Sequence, residues 1–184
     1  MLQYLPNSLT FLRLLLAAPL GWLILHEQYD LALLTGVMAG VTDALDGFFA
    51  RRLNALSRFG AALDPIADKT LITVTFICMA AVELVPWYLA IAVIVRDLVI
   101  VAGAAAYYKL IGPFEFSATG LSKGNMAIQI AFCVLVLLSQ VLPNVPPILT
   151  LAGTAAVLFI AAASGFDYVM SWTIKAIESR KQKD

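Results

Sequence analysis

DALDGFFARRLNALSRFGAALDPIAD, Asp43 to Asp68, sets four carboxylates into a chain that is 61% hydrophobic. An ionised carboxylate at membrane depth costs about 3 kcal/mol or more unless something positive meets it. Four in so short a stretch imply a bound cation cluster or an equivalent buried charge. Asp43 and Asp46 are three residues apart and Asp64 and Asp68 four apart, so each pair projects from one face of its helix. Two helices that each offer two carboxylates to a shared cleft make an all-oxygen site, suited to hard divalent ions such as Mg²⁺ or Mn²⁺.

Working outward, the rest of the chain reads as membrane. It has 184 residues with 13% charged and a mean hydropathy of +0.90, which excludes an ordinary soluble domain. A membrane helix takes roughly 20 apolar residues. The hydropathy pattern predicts six spans, at 8–25, 31–50, 61–82, 86–108, 122–142 and 147–172, with the aspartates on the second and third. The connections leave no room for a soluble domain. The expected fold is an all-α integral membrane protein, one bundle of six transmembrane helices forming a single domain over 1–184.

The basic residues are distributed on one side. Arg51, Arg52 and Arg58 fall between spans two and three, and Lys69 lies one turn into span three. Lys109 and Lys123 flank the next connection on that side, Lys175, Arg180, Lys181 and Lys183 follow span six, and Arg13 lies near the start of span one. The opposite connections, His26–Asp30, Glu83–Pro86 and Gln140–Pro146, contain no Lys or Arg. The positive-inside rule then predicts cytoplasmic N and C termini and a cytoplasmic aspartate site. The first span lacks a basic leader and carries Arg13 within its apolar run, so it is expected to be a retained helix. Cys78 and Cys133 have neither metal-site nor redox spacing and read as packing residues. The KQK near the C-terminus fits topology or anionic lipid rather than nucleic acid.

The Asp43–Asp68 stretch fits D-x2-D-G-x2-A-R-x8-G-x3-D-x3-D at every fixed position. Chance gives such a match about 10⁻¹⁰ of the time per start position. The pattern resembles the signature of the CDP-alcohol phosphotransferase family of membrane enzymes. The resemblance implies that Asp43, Asp46 and Asp64 hold two divalent ions, and that Asp68 adds a ligand and serves as general base on the acceptor hydroxyl. It also implies a CDP-linked donor, release of CMP and a homodimer. Beside it stands the reading of the residues themselves. Gly47, Ala50 and Gly60 are small enough to let a bulky nucleotide approach the backbone, and Arg51 is placed to neutralise phosphate charge. Two other readings use the same carboxylates: buried ion pairs with Arg51, Arg52, Arg58 and Lys69, and the cation site of a coupled transporter.

Further candidates lie on other spans. Pro6 to Arg13, PNSLTFLR, resembles the opening of phosphatidylglycerophosphate synthases and their relatives. It puts Asn7 and Thr10 within reach of the nucleotide, while Asn7 also suits a helix cap. Arg96-Asp97 interrupts span four, either as a local charge pair or with Arg96 on the phosphate of the acceptor. Lys123 opens span five, as an acceptor ligand or an interfacial snorkel. Gly36 and Gly40 form a GxxxG pattern that predicts close helix packing. Trp22, Tyr29, Trp87, Tyr88, Tyr107, Tyr108, Tyr168 and Trp172 fit aromatic belts. His26 falls in an outer loop and receives no catalytic role.

The resemblance bears on substrates too. The short loops and PNSLT opening resemble members that use CDP-diacylglycerol. Members acting on glycerol-3-phosphate carry a second arginine where this chain has Ala104, and G-K-x-K-T where it has Ser122-Lys123-Gly124-Asn125-Met126. The chain more closely resembles eukaryotic-type cardiolipin synthases, with R-D in span four and S-K-x-N opening span five. That implies phosphatidylglycerol as acceptor, with glycerol-3-phosphate as the alternative. The expected location is a bacterial cytoplasmic (inner) membrane, with the site facing the cytoplasm.

Overall fold

A computed structural model of the chain describes residues 5–53, 58–111 and 120–181, with the side chains of residues 14–42, 69–105, 120–122, 124–171 and 173. The described residues form helices and no strand: α1 (Leu5–Leu25), α2 (Tyr29–Leu53), α3 (Arg58–Ala81), α4 (Trp87–Ile111), α5 (Gly120–Val141) and α6 (Pro147–Lys181). Each overlaps one of the expected apolar runs. α6 continues nine residues past the expected end at Trp172, because nothing between Thr173 and Lys181 breaks a helix. Three helical stretches among the described residues are long and apolar enough to cross a membrane: Trp87–Ala105, Gly120–Val141 and Pro147–Ser171. Leu14–Leu25, Tyr29–Thr42 and Lys69–Ala81 are shorter apolar stretches.

Connections of a few residues pair α1 with α2, α3 with α4 and α5 with α6. α1 also packs on α3, α4 on α6, and α5 on both α2 and α3. Two of these turns close in the same way. After α1, the Gln28 amide donates to the Leu23 carbonyl at 2.9 Å and the Glu27 amide to that of Ile24 at 3.0 Å. After α3, Leu84 donates to Met79 at 2.9 Å and Glu83 to Ala80 at 3.2 Å. Each is a Schellman cap, which needs a left-handed residue, and glutamate fills that position both times, with φ of 58° at Glu27 and 61° at Glu83. A residue with a Cβ is strained there, and glycine is the usual occupant.

The core gathers Ile24 from α1, Phe76 and Met79 from α3, Leu89 and Val93 from α4, Val136 from α5 and Val157 from α6. The rings of Phe76 and Phe132 stack at 6.0 Å, linking α3 to α5. Cys78 and Cys133 are free thiols within this core, as their spacing predicts. The outward surface is equally apolar: Phe159 is 75% exposed, Phe166 69% and Leu98 62%. Such a surface belongs against lipid rather than water. In lipid the tails are as apolar as leucine, so helices associate through close van der Waals packing and polar contacts.

The close approaches lie elsewhere than the GxxxG pattern predicts. A Cβ built on Gly36 or Gly40 would meet nothing within 4 Å among the described residues. One on Gly21 would lie 2.9 Å from Val74 Cγ1, and one on Gly153 would lie 2.6 Å from Phe132 Cδ2. Among the described residues, the glycines that bring helices together are Gly21, at the α1–α3 contact, and Gly153, at the α5–α6 contact. The aromatic-belt reading holds for Trp22, Trp87 and Tyr88, which are exposed, and fails for Tyr168, which is buried. Tyr29 is half-buried and packs against the core. His26 is exposed, stacked on Trp22 with its Nδ1 2.8 Å from the Trp22 carbonyl oxygen, consistent with its non-catalytic assignment.

Candidate active site

The helices bearing the candidate residues are neighbours. Asp43, Asp46, Gly47, Ala50 and Arg51 lie on α2, Gly60, Asp64 and Asp68 on α3, and Asn7 and Thr10 on α1. α1 packs against both α2 and α3. Both aspartate pairs fall within continuous helix. The side chains of these ten residues, and that of Lys123 on α5, lie outside the described residues. Among the described residues no cluster of three or more His, Cys, Asp or Glu forms a metal site.

Arg96 is the candidate whose surroundings are visible. It sits inside α4 and is 8% exposed. Its guanidinium is held on three sides. Nη1 donates to Asp97 Oδ1 at 2.6 Å, Nη2 to Ser122 Oγ at 3.2 Å, and Nε to Ser164 Oγ at 3.2 Å, with a second bond from Nη2 to the same Ser164 oxygen. Lys69, the residue after Asp68 on α3, donates to the same Asp97 oxygen at 3.1 Å. The predicted local charge pair between Arg96 and Asp97 therefore exists, and it belongs to a larger cluster joining α3, α4, α5 and α6.

Two cations share one carboxylate. The cluster as described carries a surplus positive charge in an apolar bundle, which favours an anion close by. Two serines fix the guanidinium in one orientation.

Ser164 and the Lys69–Asp97 link were not among the sequence candidates. Ser164 lies in a run of alanines whose composition gives no hint of function, and its contact to Arg96 spans 68 residues of chain. The sequence offers Lys69 as an ion-pair partner for the four aspartates and as a cation on the basic side, with nothing pointing to Asp97. Ser122 stands in the S-K-x-N element, but nothing there says that its hydroxyl meets Arg96. On the same face of α5 follow Asn125 and Gln129, 1% and 3% exposed. Gly165 completes the setting: its Cβ position is 3.8 Å from Arg96 Cγ, leaving the arginine stem room beside α6.

Comparison with known proteins places this arrangement. The CDP-alcohol phosphatidyltransferase family model matches residues 3–166. Among curated proteins, the cardiolipin synthase (CMP-forming) of Rattus norvegicus is 35% identical over 181 residues, covering 89% of this chain and 59% of that protein. Its Homo sapiens counterpart is 34% identical, covering 89% and 60%. The CDP-diacylglycerol–glycerol-3-phosphate 3-phosphatidyltransferase of Bacillus subtilis is 34% identical over 108 residues, covering 50% of this chain and 56% of that enzyme. The chain thus spans about six-tenths of the length of the mammalian relatives. With a family match that runs through Asp43, Asp46, Asp64, Asp68, Arg96 and Lys123, the chain belongs to the CDP-alcohol phosphatidyltransferase family.

Proposed function

We propose that this chain transfers a phosphatidyl group from CDP-diacylglycerol to the hydroxyl of phosphatidylglycerol, forming cardiolipin and releasing CMP. The observation that carries the acceptor is the charge balance at Arg96. Among the described side chains, Asp97 offsets one of the two cations there, leaving one positive charge, which suits a phosphodiester monoanion better than a phosphomonoester dianion. The likeness to cardiolipin synthases across 89% of the chain supports the same reading. Transfer to glycerol-3-phosphate is the second reading, and the resemblance to the Bacillus subtilis enzyme favours it.

Asp43, Asp46, Asp64 and Asp68 form a four-carboxylate donor set that fits hard divalent cations, two Mg²⁺ or Mn²⁺ ions. When bound, such ions supply positive charge to the pyrophosphate of the donor. Asp68 takes the proton of the acceptor hydroxyl as its oxygen attacks the β-phosphorus. The new P–O bond forms as the bond to the CMP oxygen breaks, and CMP leaves with the electron pair. Asn7, Thr10, Gly47, Ala50, Arg51 and Gly60 seat the nucleotide, while Arg96 and Lys123 orient the acceptor phosphate. Positioning and charge stabilisation supply most of the acceleration.

The proposal includes six spans with both termini cytoplasmic, a homodimer, and an active site facing the cytoplasm of a bacterial inner membrane. Purified protein given CDP-diacylglycerol, Mg²⁺ or Mn²⁺, and each acceptor separately tests the reaction. Cardiolipin without glycerol-3-phosphate turnover is the expected result. The reverse pattern selects the second reading, and ion flux in liposomes without CMP release would reinstate the transporter.

A further inference from the structure

Asn125 and Gln129 stand out because each keeps one buried side-chain atom without a partner among the described residues. Both are more than nine-tenths buried on α5, and among the described residues Asn125 Oδ1 and Gln129 Nε2 have no hydrogen-bond partner. A buried polar atom without a partner costs roughly 1–3 kcal/mol, and two on successive turns make packing an unconvincing reason for their presence. Their location is specific. Ser122, Asn125 and Gln129 recur at three and four residues, so they form one stripe about 10 Å long. Its upper end, Ser122, accepts from Arg96. Below Gln129 the same stripe becomes Phe132 and Val136, which belong to the apolar core. The two amides therefore line the segment between the cation cluster and the hydrophobic floor.

The chemistry of the vacant atoms is complementary. One is an acceptor and the other a donor, about one helical turn apart. A hydroxyl, which donates once and accepts as well, satisfies both. The proposed acceptors share such a group: in phosphatidylglycerol and in glycerol-3-phosphate, the attacking primary hydroxyl neighbours a secondary one. Resting on the phosphatidyl-transfer reading above, we propose that Asn125 and Gln129 bind this secondary hydroxyl and are specificity-determining residues for a vicinal-diol acceptor. Arg96 holds the phosphate, the amides hold the non-reacting hydroxyl, and the reacting hydroxyl is thereby turned toward Asp68.

The test pairs substrate and protein changes. Full-length protein is assayed for CMP release from CDP-diacylglycerol with glycerol-3-phosphate and with 3-hydroxypropyl phosphate, which lacks the secondary hydroxyl. Phosphatidylglycerol and phosphatidyl-1,3-propanediol in mixed micelles form the second pair, and the active pair identifies which source supplies the diol. In the native protein the deoxy acceptor is expected to lose tenfold or more in kcat/KM. Asn125→Leu and Gln129→Leu should each lower kcat/KM for the diol by a similar factor while leaving the deoxy acceptor nearly unchanged. Melting temperature without acceptor should hold or rise, since each substitution removes an unsatisfied buried group. If the amides instead grip a structural water, the variants lose stability and both acceptors suffer equally, which overturns the proposal. Equal use of diol and deoxy acceptor by the native protein also overturns it. Absence of CMP release with every acceptor overturns the transfer reading itself.

Discussion

Replacing Gly153 with alanine tests how α5 and α6 are held together. The added methyl would lie 2.6 Å from Phe132 Cδ2 and 3.0 Å from Cε2, well inside the 3.5–4.0 Å preferred by carbon pairs. Phe132 has little room to retreat, being 3% exposed and stacked on Phe76. The helices must therefore part by a few tenths of an ångström or the ring must leave its rotamer, at a cost of about 1–3 kcal/mol. Against this, alanine in a helix gains about 1 kcal/mol over glycine. Gly36→Ala supplies the control, with the same propensity gain in open space. The difference between the two variants isolates the clash, so Gly153→Ala should be about 1–3 kcal/mol less stable than Gly36→Ala. Reversible unfolding in mixed detergent micelles measures both. Adding Phe132→Leu removes the opposing ring and should show non-additivity of about 1 kcal/mol or more with Gly153→Ala. If Gly153→Ala and Gly36→Ala unfold at the same denaturant concentration, the α5–α6 contact does not depend on that glycine and the reasoning fails.

Other outcomes follow from the cluster, the caps and the carboxylates. Asp97→Asn leaves Lys69 and Arg96 without their shared anion and should cost about 3 kcal/mol. Lys69→Met should cost under about 1 kcal/mol, because Lys69 is over a third exposed; an inverted ranking in the same unfolding assay refutes the assignment of Asp97 as the central member. Glu83→Gly relieves a left-handed residue on the surface and should raise stability by about 0.5–1 kcal/mol, read as a higher melting temperature. Asp68→Asn should retain CDP-diacylglycerol binding and lower kcat by at least about 100-fold, whereas Asp46→Ala should weaken divalent-ion and nucleotide binding together. Isothermal titration beside turnover separates the two, and full activity in either variant contradicts its role.

The helices were readable because hydropathy acts locally: an apolar run about as long as a bilayer is thick states its own conformation. The membership of the aspartates in α2 and α3 followed from the same runs, and the family from the resemblance of the whole Asp43–Asp68 pattern to a known signature. Interhelical partners were not readable in this way. Ser164 meets Arg96 across 68 residues of intervening chain, and no periodicity encodes which serine among the small residues of α6 will face it. The glycines show the same limit. Gly36 and Gly40 have the spacing of a packing motif, but whether a partner helix comes near depends on the whole bundle, and Gly21 and Gly153 take that role without any motif. Tyr168 misled for a related reason: nearness to a span end suggests the interface, but the helical face it occupies turns it inward. The unmatched amides of Asn125 and Gln129 emerge only when neighbours are known, since a sequence lists polar groups without their partners.

The Asp97–Arg96 pair ties four helices at one level, since its bonds reach α3 through Lys69, α5 through Ser122 and α6 through Ser164. Such a rivet stops these helices from sliding past one another there without several charge-assisted bonds breaking at once. Breathing of the bundle must pivot about that point. α1 and α2 lie outside that tie, so a shift of either one breaks none of its bonds.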